Sequence, residues 1–280
     1  MLKQRIITAI CIFALFLITL LSASPVIFTA FVGLVLMVSA WEWSNLSGFK
    51  YYWQRILYAL IFLVLLAAAS LYLGILSEAS IDNHKARSLF LSSGLWWAIA
   101  LLWVQGYPSS AVLWGSRWVR AIIGLLVLIP GGVSLVFLHG QPQGHWLILL
   151  VVLIVATADT GAYFAGKAFG RRKLAKNVSP GKSWEGVWGG LISCILLALL
   201  VALVTGWSAW TTLLAIIVPT ALVSVLGDLL ESMVKRHRGL KDSGYILPGH
   251  GGVMDRIDGL TAAAPIFALA IILSGWQLPS

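Results

Sequence analysis

The stretch Trp146-Leu-Ile-Leu-Leu-Val-Val-Leu-Ile-Val-Ala-Thr-Ala-Asp159-Thr-Gly-Ala-Tyr163-Phe-Ala-Gly166 decides the fold class. It opens with twelve residues, Trp146 to Thr157, that are almost entirely apolar and lack any charge or helix breaker. A helix needs about 20 mostly apolar residues to cross a bilayer, and 146–166 supplies that length. Such a run has no polar face to show to water, so its natural solvent is lipid. It then carries one carboxylate, Asp159, near its end. An ionisable group inside a membrane segment is expensive and is by default a functional candidate.

The same pattern recurs on both sides. Candidate spans lie at about 5–22, 25–41, 56–76, 88–105, 119–138, 146–166, 187–205, 211–230 and 260–277. Turn-forming breaks separate them: Ser24-Pro25, Ser47-Gly48, Gly106-Tyr107-Pro108, Gln141-Pro142 and Gly206. Composition agrees. Of 280 residues, 60% are hydrophobic and only 10% are charged, against about 25% charged in ordinary soluble domains. This excludes a soluble globular enzyme and a disordered chain. The net charge of +9 is read against a membrane surface, so no nucleic-acid partner is expected.

The expected fold is an all-α integral membrane protein with about nine transmembrane helices, N-terminus cytoplasmic and C-terminus extracytoplasmic. Alternating nine spans from an inside N-terminus puts 17 of the 19 Lys and Arg residues on the cytoplasmic side, as the positive-inside rule requires. A secretory signal is the rival reading of the first run, because Ser22-Ala23-Ser24 resembles a small-residue cleavage site. Pro25 would follow the cut and a second apolar run begins at once, so a retained first helix is expected. Trp41, Trp43, Trp53, Trp114, Trp118, Trp207, Trp210 and Trp276 sit near the ends of runs, as interfacial anchors do. Cys11 and Cys194 lie in apolar runs and offer neither a disulfide framework nor metal-ligand spacing.

Polarity concentrates in two cytoplasmic stretches, 159–185 and 228–258, which hold 11 of the 19 basic and 7 of the 10 acidic residues. The chain is read as a single domain, with N-terminal helices over 1–145 and a catalytic half over 146–280. In the second stretch, Asp228, Glu231, Ser232 and Lys235 fall at i, i+3, i+4 and i+7 and share a face if the helix continues. Asp255 and Asp258 stand at i and i+3 at the entrance of the last helix. Carboxylates converging at the membrane edge suit a hard divalent cation such as Mg²⁺, held by one or two of them plus substrate phosphates. Lys235, Arg236, Lys241 and Arg256 offer charge and donors to phosphate oxygens. Asp242 is interleaved with them, and His250 sits in the glycine-rich turn Pro248-Gly249-His250-Gly251-Gly252. A plain juxtamembrane basic cluster for anionic lipid heads explains the cations but not the interleaved aspartates. A capping role explains Asp255 or Asp258 singly, and a salt bridge to Lys167 or Arg171 competes for Asp159.

In the first stretch, Ser179-Pro180-Gly181-Lys182-Ser183-Trp184-Glu185 contains a Gly-Lys-Ser triplet. The earlier glycine is misplaced for a phosphate-binding P-loop and no strand is expected before it, so that reading is rejected. It is read as a Pro-Gly turn presenting Lys182 and Ser183 to a phosphate, independently of the carboxylates of the second stretch.

The run from Ser232 through Lys235-Arg236, Lys241-Asp242 and Pro248-Gly249-His250-Gly251-Gly252 to Asp255-Arg256-Ile257-Asp258 closely resembles the signature of phosphatidate cytidylyltransferases, also called CDP-diacylglycerol synthases. The Asp159-Thr-Gly-Ala-Tyr163 and Ser179–Gly186 segments resemble that family as well. The resemblance implies CTP and phosphatidate as substrates, CDP-diacylglycerol and pyrophosphate as products, and Mg²⁺ with a second cation at aspartates matching Asp228 and Asp255. It further implies an all-helical membrane fold and a homodimer; a bacterial-type inner membrane is expected, with the site facing the cytoplasm, where the two charged stretches lie. On this reading Asp228, Asp255, Lys235, Arg236, Asp258 and His250 form the catalytic set. Lys182, Ser183, Ser232, Lys241, Asp242, Arg256 and Asp159 bind substrate. A CDP-alcohol phosphotransferase is the nearest alternative, but Asp258-Gly259 is followed by Leu260-Thr261-Ala262-Ala263, which lacks the paired Asp-Gly pattern of that class. An anion transporter is the alternative from another class, and the chain shows neither internal repeats nor broken mid-membrane helices.

Overall fold

A computed structural model describes residues 2–22, 24–75, 82–206 and 210–276. Ala23, Trp207 and the span ends expected at 76 and 277 lie outside the described residues. The elements, in chain order, are α1 (Leu2–Ser22), α2 (Pro25–Ser47), α3 (Tyr52–Tyr72), α4 (Asn83–Gln105), the short α5 (Ala111–Trp114), α6 (Arg117–His139) and α7 (Gly144–Phe169). They continue with β1 (Lys173–Ala175), β2 (Ser179–Ser183), α8 (Trp184–Thr205), α9 (Trp210–His237) and α10 (Met254–Ser274). Eight of these helices, α2 to α4 and α6 to α10, are long and apolar enough to cross a membrane; in α1 the qualifying apolar portion is the shorter Ile10–Ser22. The chain is an all-α, multi-span membrane protein.

Local chemistry sets the helix ends. Ser24 caps α2 by accepting from the Ile27 N–H, Pro25 occupies its first turn, and Gly48 closes it at φ +94°. Asp82 caps α4 through the N–H groups of His84 and Lys85, and Ser116 caps α6 through Val119. Such oxygens satisfy N–H groups that have no partner within the helix.

The most central helix is α6: 78% of its best apolar window is buried, against 22% for α8, which faces outward. Lipid offers no hydrophobic drive between helices, so close packing relies on small residues. Gly189 of α8 lies so close to α7 that a Cβ there would come within 2.1 Å of Ala165, and one on Gly227 of α9 within 2.5 Å of the Asp258 carbonyl of α10. The second contact brings the two acid-bearing helices together.

Two expectations are revised. Trp43 and Trp114 are fully buried and Trp276 is 5% exposed, so they are core residues rather than interfacial anchors. The Trp43 Nε1–H donates to the Arg120 carbonyl at 2.8 Å, as a buried indole must find an acceptor. Trp53, Trp118 and Trp210 do point outward. The Pro180-Gly181 pair is also no turn: it lies within β2, and the reversal is at Lys176–Val178. A strand does precede it, β1, paired antiparallel with Lys173 opposite Ser183 and Ala175 opposite Ser179. Proline is tolerated there because a two-stranded hairpin has only edges.

The inter-helix loops that carry basic residues gather at one end. The Arg120 guanidinium donates to the carbonyls of Gly115 and Ser47, His237 meets the Trp114 ring edge-on, and Asn177 reaches the Tyr107 carbonyl. At the opposite end Phe28 stacks on His139.

Candidate active site

The hairpin is fastened to α8 from both sides. Ser183 is the α8 N-cap, its Oγ accepting from the Gly186 N–H at 3.1 Å. The Glu185 carboxylate accepts from the N–H groups of Arg171 and Arg172 at 3.0 and 3.1 Å. Successive strand residues point to opposite sides, so burying Ser183 turns Lys182 the other way. Its Nζ meets Asp228 Oδ2 of α9 at 2.7 Å. The two polar stretches are therefore one site. This corrects the expectation that Lys182 acts independently of the second-stretch carboxylates.

The helix α9 runs to His237, so Asp228, Glu231, Ser232 and Lys235 do share a face. Ser232 Oγ donates to Asp228 Oδ1 at 3.1 Å. Lys235, its side chain 9% exposed, lies between Glu231 at 3.0 Å and Asp255 at 2.6 Å. A cation this buried is tolerable only when paired and hydrogen-bonded. Lys235 is thus committed within the protein.

Asp255 is the most heavily engaged acid. Its Oδ1 accepts from Lys235 and Oδ2 from the Ser243 N–H, the Ser243 hydroxyl and the Gly252 N–H, at 2.6, 3.0, 3.0 and 2.8 Å. The Ser243 N–H also reaches Oδ1 at 3.2 Å. Asp258 accepts from the Gly259 N–H at 2.8 Å and lies within electrostatic reach of Asp228, Glu231 and Lys235. Asp159, on α7, lies within reach of Lys182 and Asp228.

The remaining candidates divide into two groups. Arg236 bridges segments, its guanidinium donating to the Val178 carbonyl of the hairpin and to Leu240. Lys241, Asp242, His250 and Arg256 line a cavity of about 550 Å³ with Tyr245 and the Leu247–Gly251 turn. Arg256 donates to the His250 carbonyl at 3.0 Å, while the buried His250 Nδ1 has no partner among the described residues. A larger groove of about 740 Å³ between α7 and α8 is lined by apolar and small residues and none of these charged groups.

One participant escaped sequence reading. Glu42 of α2 is 2% exposed, and its carboxylate accepts from the N–H groups of Val253 and Met254 at 3.1 and 2.8 Å and from the Ser243 hydroxyl at 3.2 Å. The signal was a lone acid within an otherwise apolar stretch.

The donor set fits a hard cation in kind. Asp228 is half-exposed, with acidic neighbours Asp159 and Asp258. Among the described residues no three potential ligands lie close enough to hold a metal alone, so substrate oxygens would complete the shell, as is usual for Mg²⁺. Asp255 can join only by giving up one of its hydrogen bonds, since a carboxylate offers about four acceptor positions.

Buried acids, a cation–carboxylate pair and a basic cavity in a helical membrane bundle are an arrangement that suits a membrane enzyme working on phosphate-bearing substrates. The chain matches the cytidylyltransferase family over residues 3–274 and belongs to it. Its relatives include a phosphatidate cytidylyltransferase of Pseudomonas aeruginosa, 45% identical with all of both chains covered. Another, of Haemophilus influenzae, is 39% identical over 96% of this chain and 98% of its own. A chloroplastic one of Arabidopsis thaliana is 43% identical over 41% of this chain and 30% of its own. The family expected from the signature is the family found, and the chain is a nucleotidyltransferase.

Proposed function

We propose that the chain transfers the cytidylyl group of CTP to phosphatidate, forming CDP-diacylglycerol and pyrophosphate in phospholipid biosynthesis. One observation carries the arrangement: the 2.7 Å contact of Lys182 with Asp228, which joins the first polar stretch to the second, the stretch that also forms the basic cavity. The cavity, with Lys241, Arg256 and His250, receives CTP from the aqueous side. Phosphatidate keeps its acyl chains in the bilayer and presents its phosphate at the same edge. A phosphatidate oxygen attacks the α-phosphorus of CTP, a new P–O bond forms, and the α–β anhydride bond breaks to release pyrophosphate. A phosphomonoester is largely dianionic at neutral pH, so no strong base is required. Lys182 exchanges Asp228 for a phosphate oxygen, and Lys235 keeps Asp255 in place.

We assign Mg²⁺ to Asp228, with Asp255 joining at the cost of one hydrogen bond. The bound ion would neutralise charge on the reacting phosphates and the leaving pyrophosphate. A second cation and a homodimer are the family's further implications. Purified protein given CTP, Mg²⁺ and phosphatidate is expected to release pyrophosphate in step with lipid-linked cytidylate. Pyrophosphate release that ignores phosphatidate, or transport without turnover, would overturn the reaction.

The site is assigned to the cytoplasmic face of a bacterial-type inner membrane, on the strength of the basic-residue asymmetry. If α1 spans as well as the eight longer apolar helices, the count is nine and a reporter fused after Ser280 is extracytoplasmic. A fused fluorescent protein that matures only in the cytoplasm should stay dark, and a bright fusion would remove one span from the count.

A further inference from the structure

Glu42 stands at the neck of the loop that lines the basic cavity. Its Oε2 takes the hydroxyl of Ser243, where the loop begins, and both its oxygens take the N–H groups of Val253 and Met254, where the loop ends. One side chain thus ties both ends of a loop that lies about 200 residues away in sequence. Between those ends sit Tyr245, Leu247, Pro248, Gly249, His250 and Gly251, all on the cavity wall.

The surroundings are built for this carboxylate. The start of α10 has no side-chain cap of its own: its N-cap residue is Val253. Glu42 supplies the missing acceptor from another helix, on two of the N–H groups that a helix start leaves without a partner. A Cβ on Gly244 would lie 2.3 Å from Glu42 Oε1, and one on Gly252 would lie 2.6 Å from Oε2. Neither glycine is at positive φ, so clearance for Glu42, and for the Ser243 hydroxyl at Gly252, is the reason for a missing side chain there. The Ser243 hydroxyl also stands 3.0 Å from Asp255 Oδ2. It has one hydrogen for two carboxylates, which links Glu42 to the acid that holds Lys235.

We propose that Glu42 is a positioning residue of the nucleotide site, a clamp that closes the neck of the 243–253 loop and so fixes the cavity that receives CTP. This rests on the assignment of that cavity to CTP. Glu42 touches no substrate itself, so its effect should fall on the use of one substrate rather than both.

The test is Glu42→Gln in the full-length, detergent-purified enzyme. Glutamine keeps the shape but turns an NH₂ group toward one of the two backbone N–H donors, and losing a hydrogen bond to a charged acceptor predicts about a tenfold rise in the KM for CTP. The KM for phosphatidate should stay within about twofold, because that substrate enters from the bilayer. Amide hydrogen exchange at Val253 and Met254, whose N–H groups donate to Glu42, should accelerate while α6 and α7 keep their protection. Gly244→Ala crowds Glu42 Oε1 from the loop side without removing any bond of Asp255, and provides the same reading if the Gln variant cannot be purified. Combined, the two substitutions should cost less than their product, since both open one neck. An unchanged KM for CTP in either variant would overturn the proposal. So would equal losses toward both substrates with loosening throughout the bundle, which would make Glu42 a general packing residue. A wild-type enzyme without pyrophosphate release would instead overturn the proposed reaction, while the exchange measurement would still report on the clamp.

Discussion

Asp228→Asn should reduce turnover at least 10²-fold while leaving the protein folded in the membrane, and Asp255→Asn should cost as much activity but also destabilise the protein. Both changes remove a negative charge from the proposed cation site, and about 3 kcal/mol of lost transition-state stabilisation corresponds to roughly that factor. Their structural consequences differ. Asp228 is half-exposed and makes one ion pair and one hydroxyl bond, both at the site's open edge. Asp255 organises Lys235, Ser243 and Gly252 in a buried setting. An asparagine there must turn its NH₂ group either toward the Ser243 and Gly252 N–H donors or toward Lys235, which is then left with Glu231 alone. Each buried donor left unsatisfied costs about 1–3 kcal/mol, which corresponds to a fall of several degrees in melting temperature for a chain of this size. Activity across a Mg²⁺ titration and melting in detergent separate the two. An Asp228→Asn enzyme that recovers wild-type turnover at high Mg²⁺ would leave that residue as a modest contributor to cation affinity. An Asp255→Asn enzyme with unchanged melting would mean that the hydrogen bonds around it do not hold the loop.

Lys182→Ala should lower kcat/KM for CTP by about 30-fold, the loss expected for a charged phosphate contact worth about 2 kcal/mol. It should also shift the Mg²⁺ dependence. In the structure the Lys182 ammonium lies against the carboxylate assigned to the cation, so lysine and metal compete for it. Removing the lysine should lower the half-saturating Mg²⁺ concentration by about two- to fivefold, the modest size reflecting a partly exposed, solvent-screened pair. Lys182→Arg keeps the charge and should keep the wild-type Mg²⁺ dependence. If alanine leaves the Mg²⁺ curve where it was, the contact with Asp228 is incidental. If it leaves kcat/KM for CTP where it was, the hairpin takes no part in binding the nucleotide.

The sequence alone determined the multi-span helical fold, because crossing a bilayer depends on local quantities: about 20 apolar residues and turn residues between them. Helical periodicity is equally local, which is why the spacing of Asp228, Glu231, Ser232 and Lys235 is enough to place them on one face. The signature spacing pointed to the family to which the chain belongs. Tertiary structure decided how those residues are used. Nothing within a few residues of Lys182 says that it meets Asp228, that Lys235 lies buried between two acids, or that Arg236 holds the hairpin. Trp43 and Trp53 look alike in sequence, yet one is in the core and the other faces outward. Glu42 is the clearest case: its carboxylate is matched by N–H and hydroxyl groups about 200 residues away, and only packing α2 against the start of α10 gives that charge its partners. Periodicity and propensity act over a turn or two of helix, whereas a buried charge is satisfied by whatever the folded chain brings beside it.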